Sequence, residues 1–452
     1  MNQRWTLHVE NFARIREADI EISPLMCFIG DNNSGKSYMM SLLWGIIANG
    51  KMIFQNLHDD DYSGTKIFNQ CNSWMLSNIG NTVTITDEIE QMYIEWFNEL
   101  LVKYKSNLLE RIFNSKVEAS KIEIRNFKRD KKLSVYFWDA VKNLSLNNNY
   151  NKDSKVIEMH LDETDTLTYH FLLCWLLLME NLTRINESIM YEEAPVYLPA
   201  LRTGFLLTYS QIASKSVRSY FSLKNNNGAV QETQETLTAP YIHFLQLLIK
   251  LKNSTNDTQG ERKDCLVKFL NHEIINGTVT SKEDGNVIRY HPYDMSVEIP
   301  MSVTSSVVTE VAPLLLLLKT KLPLSLVIIE EPEAHLHPAL QKKIAQLLIQ
   351  FVHNGVPIWI TTHSDTILQH FNNMIKLNNR SEHEREELLE QFNYTKDDLL
   401  SLDEIKLYQF TREENFTTID KPSLNKYGFI VDSFNKAIYE LSQEIFAFQE
   451  DN

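Results

Sequence analysis

Apolar and polar positions alternate from the first residues onward. "WTLHVENFARIREADIEI" (Trp5–Ile22) changes character at almost every second position and predicts two half-buried strands. "PLMCFIG" (Pro24–Gly30) is a short apolar strand, and "YMMSLLWGIIANG" (Tyr38–Gly50) an apolar helix ending on its glycine. Between residues 85 and 190 the pattern lengthens to that of helices, in "DEIEQMYIEWFNELLVKYKSNLLERIF" and "TLTYHFLLCWLLLMENLTRI". The basic run "KIEIRNFKRDKK" (Lys121–Lys132) lies between them and reads as a solvated helix face or loop. "LSLNNNYNKDSK" (Leu144–Lys155) reads as a loop.

"APVYLPALRTGF" (Ala194–Phe205) predicts a strand leaving the helical part. Two polar stretches, "KNNNGAVQETQETLT" and "KNSTNDTQGERKD", predict loops on either side of "YIHFLQLLIKL". "GTVTSKEDGNVIRYHPYDMSVEIPMSV" alternates around an Asp-Gly turn signal and predicts antiparallel strands. A helix, the apolar run "LSLVIIEE", a second helix and the strand "VPIWITTH" follow. The chain closes on strand-like "KLYQFTREENFTTIDK" and helical "GFIVDSFNKAIYELSQEIFAFQ". The order predicts an α/β head in two parts, 1–84 and 191–420, split by a helical insertion at 85–190 and followed by a helical tail at 421–452.

Composition adds exclusions. Hydrophobic content of 43% and charged content of 23% are those of a globular chain with a large core. A net charge of -15 argues against a protein that coats nucleic acid with its whole surface. Lys121–Lys132, with six basic and two acidic residues for a local net of +4, is the one stretch where a nucleic-acid contact competes with a solvated face. The longest apolar runs, Phe171–Met179 and Val311–Leu318, fall short of the ~20 residues that cross a bilayer, so no membrane role is expected. The N-terminus reads as a strand, not a leader. Cys27, Cys71, Cys174 and Cys265 form no C-x-x-C pair, which fits reduced thiols in the cytoplasm.

"GDNNSGKS" (Gly30–Ser37) matches G-x-x-x-x-G-K-[ST] in full and sits between an apolar strand and a helix, the context that makes the match a phosphate-binding P-loop. Gly30 and Gly35 let successive backbone N–H groups of Asn32, Asn33, Ser34 and their neighbours, through Tyr38, face phosphates at a helix N-terminus. Lys36 reaches the β- and γ-phosphates, and the Ser37 hydroxyl ligates Mg²⁺. Such a loop needs an acidic strand end beside it. "LSLVIIEE" supplies Glu330 for the metal and Glu331 to orient and deprotonate a water. "EEPEAHLHP" also admits a metal centre in which both glutamates join His335 and His337, but a His-x-His pair needs further ligands and the P-loop already uses the carboxylates.

Almost 300 residues separate Ser37 from Glu330, so a large insertion splits the sheet. "NFARIREADIEI…FIGDNNSGKS", "VYLPALRTGF", "VIIEEPEAHLHP" and "WITTHSDTIL" together resemble the stand-alone ABC-type ATPases of the OLD-like and SMC-related branch, in that branch's order. The resemblance covers both ends of the chain and implies an ABC-type P-loop head, a mixed sheet plus an antiparallel β subdomain, with a helical insertion. It implies that His363 is the histidine sensing the γ-phosphate, against the plainer alternative of a core-edge histidine. It places His337 in the loop between two subunits. Ser305 and Ser306 fall in the signature that caps the partner's γ-phosphate, although Val307 stands where a glycine is common and a serine N-cap is the alternative. Arg14 and Arg202 fall at basic positions near the nucleotide, or are surface charges. The implied output is a homodimer, or a larger oligomer built on dimers, closed around two ATP molecules. Stand-alone ATPases of this size resemble the ATPase subunits of Septu-type anti-phage systems, which implies a separate nuclease partner of HNH or Toprim type. A repair-style ATPase acting on DNA, a transporter ATPase and a P-loop scaffold that binds ATP without turnover are the alternatives.

Overall fold

Nine strands hydrogen-bond into one mixed sheet among the residues described by the structure, a computed structural model covering 3–58, 65–139, 150–151, 156–161, 166–179, 195–208, 237–252, 261–281, 288–320, 322, 324–425, 428–431 and 442–448. The chain opens with the antiparallel pair β1 (Gln3–Phe12) and β2 (Ile15–Glu21), then β3 (Leu25–Gly30) and helix α1 (Lys36–Asn49). Helix α2 (Lys66–Ser77), the short β4 (Thr82–Thr84) and the long α3 (Asp87–Phe113) follow. Next come β5 (Lys121–Arg129), β6 (Ser134–Asp139), β7 (Tyr150–Asn151), β8 (Val156–Leu161), α4 (Thr166–Leu178) and β9 (Val196–Leu198). The remainder contains α5 (Ala239–Lys252), α6 (Glu261–Phe269), the three-stranded β10–β11–β12 (Gly277–Ser281, Ile288–Pro292, Ile299–Pro300) and α7 (Ser306–Leu318). It continues through β13 (Val327–Glu330), α8 (Pro338–His353), β14 (Ile358–Thr362), α9 (Asp365–Asn378), α10 (Glu382–Gln391), β15 (Ile405–Arg412) and β16 (Thr417–Asp420).

The order across the main sheet is β5-β1-β2-β16-β15-β3-β14-β13-β9. One half, β15-β3-β14-β13-β9, is parallel. The other is an antiparallel wing, β5-β1-β2, joined to it through β16, which pairs antiparallel with β15 and parallel with β2. Strands of the parallel half are apolar on both faces because helices cover both. In β3, Met26 and Phe28 join the core under α1, α2, α3 and α4, while Leu25, Cys27 and Ile29 join the core under α7, α8 and α9. The long insertion therefore packs on one face of the sheet and the signature-region helix on the other.

Two expectations change. The segment 85–190 is not wholly helical, because it contains β5, which pairs along β1, and a second small sheet ordered β4-β6-β8-β7. "IEIRNF" has a period of two, with Ile122 and Ile124 buried, and that alternation overrides the helix-compatible count of Lys and Arg. The tail 421–452 begins as a hairpin, β17 (Leu424–Asn425) with β18 (Gly428–Phe429), and only 442–448 is helical among its described residues. Most of the three predicted loops, 144–155, 224–238 and 252–264, lies outside the described residues. No helix among the described residues is long and apolar enough to cross a membrane.

Candidate active site

β3 delivers the chain to Gly30, whose φ of 131° belongs to glycine. A Cβ there would lie 2.0 Å from the Phe410 carbonyl oxygen of β15, so the neighbouring strand leaves no room for a side chain. The loop turns through Asn33 (φ 59°) and Gly35 (φ 96°) into α1, which starts at Lys36. The Lys36 side chain is folded inside this turn. Its Nζ donates to the carbonyls of Gly30 (2.8 Å) and Asp31 (2.6 Å) and lies 3.5 Å from Ser34 Oγ. Burial pulls the ammonium down to about 8, while the carboxylates of Glu331, Asp31, Glu333 and Glu330 act in the opposite direction. Ser34 is buried; Asn32, Asn33, Ser37 and Tyr38 are exposed, with the Tyr38 ring stacked on Phe113 at 5.2 Å.

β13 ends on the two glutamates, and their environments differ. Glu330, 2% exposed, accepts from the Tyr197 hydroxyl (2.8 Å) on one oxygen and from the Ala200 N–H (3.1 Å) on the other. Glu331 takes a left-handed φ of 44° and turns its side chain into a half-exposed position. Its own N–H donates to the Thr361 carbonyl at 2.8 Å. β14 runs parallel to β13 and brings His363 just past its end, where Nε2 lies 3.9 Å from Glu331 Oε1. Burial lowers the His363 pKa and the Lys36 ammonium lowers it further, which favours a neutral imidazole; Glu331 pulls the other way. Lys36, Glu331 and His363 are thus assembled at one edge of the parallel half.

Three supports were not legible as such in the sequence. Glu333, the third glutamate of "EEPE", accepts from the His363 N–H (2.6 Å) and the Thr362 hydroxyl (2.8 Å), and burial raises its pKa. Tyr197 holds Glu330 from the adjacent β9. Arg202, expected near the nucleotide or on the surface, is 3% exposed and lies behind the glutamates, where it donates to both of their carbonyls. A "VYLPALR" pattern gives no sign that its tyrosine and arginine point into the core beneath a strand end. Only the run of glutamates hinted at a shared role.

Arg14 is exposed at the β1–β2 turn and donates to the Glu414 carbonyl at 3.3 Å; its neighbour Ile15 reaches over Gly35. Ser305 is the N-cap residue of α7, yet its side chain makes no capping bond, and both it and Ser306 are exposed. His337 accepts from the Ala339 N–H at 3.4 Å and caps α8, while His335 lies 3.8 Å from Glu310. Each histidine has its own structural contact, and no group of three or more His, Cys, Asp or Glu among the described residues is arranged to hold a metal. The donors expected for Mg²⁺ are the Ser37 hydroxyl and the Glu330 carboxylate, both hard oxygens suited to that ion. Glu330 has two bonds filled out of roughly four lone-pair directions, so it can still accept from a metal-bound water.

Four of the six basic residues of Lys121–Lys132 are paired or buried. Lys121 and Arg125 both bind Glu123 (2.9 and 2.7 Å), Lys132 binds Asp87 and Glu90, and Arg129 is buried against the last carbonyls of α4. Those pairs weaken the nucleic-acid alternative for this stretch.

Residues 6–368 match a family model described as an AAA ATPase domain. Among solved structures, the chain is similar to the SMC head domain from Thermotoga maritima, with 9% identity and a TM-score of 0.36, covering 94% of this chain and 100% of that one. It is also similar to an SMC head bound to the C-winged helix domain of ScpA (11% identity, TM-score 0.35, 93% of this chain and 98% of that one). A third likeness is to an Smc head with an extended coiled coil, bound to the C-terminal domain of ScpA from Pyrococcus furiosus (10%, 0.35, 97% and 100%). None of the curated proteins matches the sequence.

Proposed function

The chain belongs to the AAA ATPase domain family, and from that premise we propose that it binds and hydrolyses ATP at the edge where Lys36, Glu331 and His363 meet. That convergence is the observation carrying the proposal. ATP enters with its phosphates against the N–H groups of Gly30–Ser37 and the start of α1, where the helix dipole favours negative charge. Lys36 leaves its loop carbonyls for the β- and γ-phosphate oxygens. Glu331 accepts a proton from the water that attacks the γ-phosphorus; the new P–O bond forms as the bond to the β-phosphate oxygen breaks, releasing ADP. His363, neutral at pH 7, offers one N–H and one lone pair to orient the γ-phosphate or the water. Ser37 and Glu330 would hold Mg²⁺, which would supply positive charge to the phosphate oxygens when bound.

The same proposal assigns α7 to a second copy of this chain. The exposed N-terminus of α7, with Ser305 and Ser306, offers free N–H groups to the γ-phosphate bound by the partner, so two ATP molecules close a homodimer. Arg14, at the turn over Gly35, lies on the nucleotide side. The dimer's opening and closing would gate a partner effector, a nuclease in anti-phage defence, in the cytoplasm. ATP turnover decides the first step. Replacing Lys36 with Ala should lower kcat by about 10²–10³-fold, and a wild-type rate no faster than that of the variant would leave only a nucleotide-binding scaffold.

A further inference from the structure

α7 and the end of β13 face different nucleotides in this proposal. The first carries Ser305 and Ser306 toward the partner's phosphate, and the second carries this chain's own Glu331. One buried guanidinium joins them. Arg202 donates through Nη1 to the Glu330 carbonyl at 2.7 Å and through Nη2 to the Glu331 carbonyl at 3.0 Å. Its Nε lies 2.9 Å from Glu310 Oε2 and donates to the Glu310 carbonyl at 3.2 Å. Glu310 stands in α7 and is itself 3% exposed. Its other oxygen accepts from the Thr203 hydroxyl at 2.6 Å and lies 3.8 Å from His335, in the turn leading to His337.

The backbone beside this pair is held in an unusual setting. Glu331 sits at φ 44°, a region that a side chain other than glycine enters only when its surroundings impose it. On one side its N–H is fixed to Thr361 in the rigid sheet. On the other its carbonyl is fixed to Arg202, whose Nε rests on α7. A buried ion pair is seldom the most stabilising filling for such a space, since apolar side chains of similar volume often do as well or better. Its directional bonds to two carbonyls and one helix do what an apolar filling cannot.

We propose that the Arg202–Glu310 pair transmits engagement of α7 by the partner's nucleotide to the setting of Glu331. Displacement of α7 carries Glu310; Arg202 follows, shifts the Glu331 carbonyl, and so turns the carboxylate that must accept the water's proton. Neither residue touches ATP, so both are positioning residues. The inference rests on Glu331 as the base and on α7 as the partner-facing segment.

The test uses the full chain with Glu310→Gln, which keeps shape and the Thr203 bond but removes charge, and Arg202→Lys, which keeps charge but not the forked reach. ATP affinity should stay within about twofold of wild type while kcat falls about tenfold or more, and the double variant should be no slower than the slower single. Amide exchange supplies a readout separate from turnover. In a Glu331→Gln background, ATP with Mg²⁺ should protect residues 303–312 and 327–337 together, and Glu310→Gln should leave only the change at 303–312. Wild-type kcat in both single variants, or unchanged joint protection in Glu310→Gln, overturns the coupling. If Arg202→Lys does not fold, Glu310→Gln decides alone. If wild type turns over no faster than Lys36→Ala, the ATPase proposal has failed, and the exchange measurement still decides whether the two segments move together.

Discussion

Arg202 and Arg125 each face a glutamate at short range, 2.9 Å to Glu310 for the first and 2.7 Å to Glu123 for the second, yet they belong to different kinds of structure. The side chains of Arg202 and Glu310 are 3% and 2% exposed at the edge of the parallel half, where the same guanidinium also holds two backbone carbonyls. Arg125 and Glu123 are 37% and 29% exposed on the edge strand of the antiparallel wing, with water able to replace each partner. In the parallel half the charges are dry and joined to strained backbone. On the wing they keep the basic edge strand soluble and discourage pairing with another sheet. Charge count alone singles out the wing; burial and hydrogen bonding single out the strand ends instead.

The sharpest way to break that contrast is Glu331→Gln, which should lower kcat by about 10²–10⁴-fold while leaving ATP affinity near wild type. Single-turnover measurement beside equilibrium binding checks it, and an undiminished rate would move the base elsewhere. Next is Tyr197→Phe. A buried carboxylate losing one of its two donors should cost about 1.5–3 kcal/mol of stability, read as a lower urea midpoint at an unchanged slope. An unchanged midpoint would mean that Ala200 and water satisfy Glu330 without the phenol.

A pH series tests the lysine. Phosphate binding requires the ammonium form, and burial has brought Lys36 down to about 8, so ATP affinity should fall by up to about tenfold from pH 7 to pH 9. His363, whose pKa is lowered from its ordinary value, remains neutral over that interval and adds no slope of its own. Flat affinity across the interval would mean that the lysine is not the phosphate ligand. The smallest effect is expected on the wing, where Arg125→Ala should change stability by less than about 1 kcal/mol, less still at high salt. A larger loss would show that the wing's pairs are more than solvated contacts.

Elements with a strong local signal were legible in advance. The alternating "WTLHVENFARIREADIEI", the apolar "PLMCFIG" and the P-loop between strand and helix all occur as expected. In β5, four of the six positive charges of Lys121–Lys132 obscure a period-two pattern whose buried apolar members are two isoleucines. Tyr197 and Arg202 were out of reach for another reason. Their partners lie 133 and 128 residues away in sequence, and no local pattern records which side chain a distant strand end will meet.

What the sequence by itself determined is the chemistry available: a glycine-bracketed loop ahead of a helix, two carboxylates closing an apolar run, and a histidine closing another. Backbone geometry and side-chain type suffice for that, because they act over a few neighbouring residues. Only the tertiary structure decided how these parts are placed and how differently the two carboxylates are surrounded. Parallel pairing of β13 with β14 sets His363 beside Glu331, and burial against β9 separates a held Glu330 from a left-handed, half-exposed Glu331. The link from α7 to that glutamate exists only because folding desolvates Arg202 and Glu310 together, and two charges kept out of water must find each other.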